Sequence, residues 1–79
     1  MPRVRFKVPT WNEGRILIAD ISSTLGVPSK EEDEYLIVED EGYRISMMPD
    51  DRGFAFFMIK YSDESLLQKL DPLVSKYRE

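Results

Sequence analysis

The chain has 79 residues, about half of a typical domain length, so it can hold one modest core and is too short for a two-domain enzyme. Hydrophobic residues make up 42% and charged residues 33%, with four Gly and five Pro, which excludes disordered, collagenous and low-complexity classes. Eleven basic against fifteen acidic side chains leave a net charge of −4, which argues against indiscriminate binding to nucleic acid or anionic membrane.

The charge is segregated. Residues 1–30 carry five basic and two acidic side chains, residues 31–51 one and nine, and residues 52–79 five and four. No cysteine and no histidine are present, which removes disulfides, thiolate sites and imidazole chemistry. The longest apolar run, Phe54 to Ile59, is too short to span a bilayer, and no signal-like stretch opens the chain. A cytoplasmic protein with no membrane partner is the expectation.

Arg3-Val4-Arg5-Phe6-Lys7-Val8 alternates basic and apolar residues, the period of a strand with one buried face. After Pro9, Thr10 and Glu13 have the spacing of a capping box. Leu17, Ile18, Ile21 and Leu25 fall at helical intervals, and Gly26 with Pro28 supplies a stop, so a helix is predicted over residues 11–25. Trp11 is expected to staple the helix start over the core, and Gly14 to permit close packing there. Residues 27–34, with the run Glu31 to Glu34, read as a loop.

Tyr35–Glu39, Tyr43–Met48 and Phe54–Tyr61 are rich in β-branched and aromatic residues, and turn-forming segments separate them, which predicts a three-strand meander. Ser62 or Asp63 can cap a closing helix whose apolar stripe is Leu66, Leu67, Leu70, Leu73, Val74 and Tyr77. Pro72 should either kink that helix or restart it with Asp71 as cap. Residues 1–79 are thus expected to form a single α+β domain of order β-α-β-β-β-α, a two-layer sandwich with both helices on one face of a four-stranded mixed sheet.

The third meander strand is apolar on both faces, which belongs inside a sheet. With the predicted strands numbered in chain order, 2-3-4-1 is the favoured spatial order. It leaves the basic first strand as an edge, its charges guarding against pairing with other chains. The face away from the helices then carries Arg3, Arg5 and Lys7 with one alternate set of the apolar strand, either Phe54, Phe56 and Met58 or Phe57 and Ile59. Such an apolar patch rimmed by charge reads as a binding surface.

Arg52-Gly53-Phe54-Ala55-Phe56-Phe57-Met58-Ile59 resembles the RNP1 octet of RNA-recognition motifs. Arg52 to Phe56 match its pattern, and Phe57 and Ile59 depart from it. The resemblance covers these eight residues of the 79, and the element order differs from that family by an added strand before the octet. It implies that Phe54 and Phe56 stack on unpaired bases and that Arg52 lies near phosphate, with Arg5, Lys7 and Arg44 adding backbone contacts.

No nucleophile elbow, Gly-rich phosphate loop or EF-hand spacing occurs, so neither catalysis nor a metal or other cofactor is expected, and no small-molecule substrate is implied. The sequence supports a non-enzymatic interaction module that dimerises or docks a protein partner through Phe54, Phe56, Met58, Arg3, Arg5, Lys7, Arg44 and Arg52. The alternative is single-stranded RNA or DNA on the same face.

Overall fold

The computed structural model describes residues 2–78. Strand β1 (Arg3–Val8) realises the alternation, burying Phe6 and Val8 and exposing Arg3, Arg5 and Lys7. Helix α1 (Trp11–Leu25) starts where the extended Thr10 accepts the Glu13 N–H on its Oγ1 at 3.1 Å. The return bond of a full capping box does not form among the described residues. The helix ends at Gly26, whose φ of 68° turns its N–H back to the Ser22 and Ser23 carbonyls.

The expected loop is in part a strand. β2 (Lys30–Glu32) forms a hairpin with β3 (Tyr35–Asp40), followed by β4 (Tyr43–Pro49) and β5 (Ala55–Tyr61). The spatial order is β1-β5-β4-β3-β2, and every pair is antiparallel. The central order 2-3-4-1 of the four predicted strands holds, but among the described residues the sheet has five strands and is not mixed. One cause explains both corrections: the extra hairpin reverses the chain once more before β3, so β5 runs antiparallel to β1. All three β2 residues are exposed, so no hydrophobic alternation marks them. Their turn rests on Asp33 at φ 56°, a left-handed conformation that Asp tolerates better than most residues.

α1 packs on the sheet, and helix α2 (Ser65–Val74) packs beside α1, both on one face. Leu17, Ile18 and Ile21 of α1 and Leu66, Leu70 and Val74 of α2 share one core with Phe6, Val8, Val38, Ile45, Phe57 and Ile59. At Gly14 the helix comes so close to β5 that an added Cβ would stand 2.7 Å from the Ala55 Cβ. The cap position at the start of α2 holds Glu64, not Ser62 or Asp63, and its side chain makes no cap bond; Asp63, one position earlier, accepts the Ser65 N–H on its Oδ1 at 3.0 Å. The helix does not restart at Asp71. Pro72 lies inside it, and the chain tightens into a 3-10 turn only at Ser75–Tyr77. The carbonyl that loses its partner to Pro72 belongs to Gln68, which is exposed.

Trp11 is not a core staple. It is 42% exposed, and its indole N–H donates to the Asp50 carbonyl at 3.0 Å, tying the β4–β5 turn to the start of α1. Among the described residues no helix is long and apolar enough to cross a membrane.

Candidate functional site

Strand pairing places the open face residue by residue. β5 alternates buried and half-buried, sending Ala55, Phe57, Ile59 and Tyr61 to the helices and Phe56, Met58 and Lys60 to the other side. The alternate set left undecided by the sequence is therefore Phe56 and Met58, with Phe54 just ahead of the strand. In β1 and β4, Lys7 and Met48 flank Phe56, Arg5 and Ser46 flank Met58, and Arg3 and Arg44 flank Lys60. The register continues to Ile37 and Glu39 of β3 and to Lys30 of β2, with Tyr35 opposite Glu32 at the far edge. Ile37 is buried even here, at 1% exposure.

Three zones result. Along the outer edge, Arg3, Arg5 and Lys7 form a basic column with no salt-bridge partner among the described residues. Beside it Arg5, Tyr35, Ser46, Met48, Phe56 and Met58 line a shallow groove of about 440 Å³. The Phe54 and Phe56 rings meet edge to face at 4.9 Å and 81°, and the Lys7 ammonium and Arg52 guanidinium each lie 4.9 Å from the centre of the Phe54 ring.

The third zone is an ion-pair network. Glu39 binds Lys30 at 2.7 Å and Arg44 at 3.2 Å, and Glu32 lies 3.3 Å from Lys30 and 3.8 Å from Arg44. The hydrogen bond from Lys30 holds the Glu39 carboxyl below its ordinary value, and the same bond raises the Lys30 ammonium. Arg44, expected to face a partner, is thus engaged within the sheet.

Arg52 is engaged as well. Asp50 Oδ1 accepts its backbone N–H at 2.8 Å and its Nε at 3.1 Å, which keeps the Asp50 carboxyl below its ordinary value, the backbone bond being the larger cause. Gly53 completes the turn with φ 100° and an N–H to the Asp50 carbonyl at 2.9 Å. Arg52 therefore orders the turn that presents Phe54.

Six cations (Arg3, Arg5, Lys7, Lys30, Arg44 and Lys60) and two carboxylates (Glu32 and Glu39) share this face, a net +4. The remainder of the chain carries five cations and thirteen carboxylates, a net −8. The molecule is polarised, with one basic face on an acidic body. Sequence reasoning missed Tyr35, Met48 and Lys60 as members of the face. The signal for Met48 was its place beside Met47, since neighbours in a strand point to opposite sides. Comparison of the chain with known protein families, with curated proteins and with solved structures returns no match.

Proposed function

We propose that this protein is a non-enzymatic interaction module whose open sheet face docks a protein partner bearing acidic and apolar side chains. The observation that carries the reading is the groove around Phe56 and Met58, bordered by the column Arg3, Arg5 and Lys7, which has no ion-pair partner among the described residues, in a chain that is acidic elsewhere. Apolar burial would provide affinity, and the basic column would select the partner and speed its approach. Docking is favoured over face-to-face pairing of two copies, which would bring together two surfaces of net +4.

Single-stranded nucleic acid is the second reading. It draws on the paired rings of Phe54 and Phe56 beside the same cations. Against it, Glu32 and Glu39 lie on the face that would meet phosphates, and the Phe54 ring already has two cations over it.

Size-exclusion chromatography with light scattering, at low and high salt and with and without a mixed single-stranded oligonucleotide pool, separates the readings. The expected result is a monomer that ignores the oligonucleotides. It should bind stoichiometrically a partner that Phe56→Ala binds on the order of tenfold more weakly. A shift with oligonucleotide at low salt alone would favour the nucleic-acid reading, because phosphate contacts weaken steeply with salt. A salt-insensitive dimer would assign the face to self-association.

A further inference from the structure

β1 is an edge strand, with β5 on one side and, among the described residues, no strand on the other. Tyr61 donates its N–H to the Pro2 carbonyl at 3.1 Å. In an antiparallel pair the hydrogen-bonding residues alternate, so Val4, Phe6 and Val8 bond toward β5 while the N–H and C=O of Arg3, Arg5 and Lys7 turn to the outer edge. No hydrogen bond among the described residues beyond the β1–β5 pairing reaches those outward groups. The same three residues send their side chains to the open face. Backbone hydrogen-bonding capacity and positive charge therefore coincide along one line.

We propose that β1 accepts an extended segment of a partner protein, acidic at every second residue, as a sixth strand of the sheet. This rests on the docking reading and specifies how the partner enters. The acidic side chains would lie beside Arg3, Arg5 and Lys7, and backbone bonds to the same residues would set the register. The intervening side chains, facing the helix layer, would be apolar and would extend the core past Val4, which is only partly buried at this edge.

Charge selects this occupant over a second copy. Two β1 edges pairing with each other would set Arg and Lys columns side by side, and like charges on neighbouring strands are destabilising. The other edge, β2, is three residues long, and its open-face side chains Lys30 and Glu32 are already in the ion-pair network. Basic residues on an edge strand discourage self-pairing. Here the same residues would admit a strand of opposite charge.

The test uses the full chain, isotope-labelled, and an end-blocked peptide alternating Glu and Val over the length of β1, with a Lys/Val peptide as control. The Glu/Val peptide is expected to bind, and the control is not. The amides of Arg3, Arg5 and Lys7 should exchange with solvent about tenfold more slowly in the complex. Arg5→Glu should weaken binding by on the order of tenfold, whereas Arg5→Lys should retain it. Methylating the peptide nitrogens that face β1 should abolish it.

Binding of the peptide without slowed exchange at those amides, with resonance shifts confined to Phe56 and Met58, would overturn strand addition and leave face docking standing. Absence of peptide binding would overturn strand addition. If an oligonucleotide bound in its place, the docking reading would fall with it.

Discussion

Two aromatic clusters sit on opposite sides of β5, one residue apart in sequence. On the helix side Phe57 stacks flat on Phe6, with centroids 5.0 Å apart and planes within 9°, and Phe6 stacks on Tyr77 at 6.0 Å. On the open side Phe54 and Phe56 meet edge to face beneath two cations. The residue types are the same; the difference is what covers them. Phe57 and Phe6 are buried beneath the helix layer with Tyr77 half-buried at its margin, so the value of the inner stack lies in removal from water and dense contact. The outer pair is half-buried and bordered by charge, an arrangement that keeps an apolar surface hydrated until something docks on it.

The contrast can be broken most directly at neighbouring positions. Phe57→Ala should cost about 3–5 kcal/mol in denaturant unfolding, the range for deleting a fully buried ring. Phe56→Ala should cost about 1 kcal/mol or less, since its ring is already partly wet. Equal losses would mean that the outer pair is core and that the face is not built for docking.

Gly14→Ala probes the fit of the inner layer. The added methyl would meet the Ala55 Cβ at 2.7 Å. Overpacking of ~1–3 kcal/mol opposes a helix-propensity gain of ~1 kcal/mol. The variant should therefore unfold at lower denaturant than wild type, and adding Ala55→Gly should recover part of the loss. A more stable Gly14→Ala would show that the layers can move apart.

The smallest effect should come from the ion-pair network. Glu39 and Asp50 have carboxyl pKa values lowered in the folded state. Their stabilisation is therefore present above the ordinary carboxylate range and fades as pH falls through the lowered folded values. The raised Lys30 contributes below the ordinary lysine range and loses its contribution only as pH rises through its raised folded value. Denaturant midpoints of Glu39→Gln should fall less than those of wild type between neutral and acidic pH. Because Glu39 and its partners Lys30 and Arg44 remain in contact with solvent, added salt should shrink the difference. A difference that survives high salt would argue against a network held by screened surface pairs.

The basic column of the candidate face could be read from alternation. Arg3, Arg5 and Lys7 between Val4, Phe6 and Val8 can satisfy a half-buried strand in one orientation only, and the structure adopts it. Phe54-Ala55-Phe56-Phe57-Met58-Ile59 is apolar throughout, so periodicity alone could not decide which ring faced the helices. Pairing with β1 and β4 decided it, by placing Phe57 opposite Phe6 and Met47. β2 escaped because Lys30, Glu31 and Glu32 bury nothing. Its order comes from pairing with β3 and from charges on β3 and β4, partners that lie beyond a local window.

The pairing of charges was hidden for the same reason. Arg44 and Arg52 look in sequence like Arg5, yet Glu39, Glu32 and Asp50 engage the first two and leave Arg5 without an ion-pair partner among the described residues. The sequence by itself determined the α+β class, both helices, the central strand order and the basic alternation of β1. Those follow from hydrophobic period, caps and turns, which act over a few residues. Only the tertiary structure decided the fifth strand, the fully antiparallel sense, the side of β5 that faces solvent and which cations have an ion-pair partner among the described residues. Each of these depends on contacts between segments far apart in the chain, where register and Coulomb attraction set the outcome.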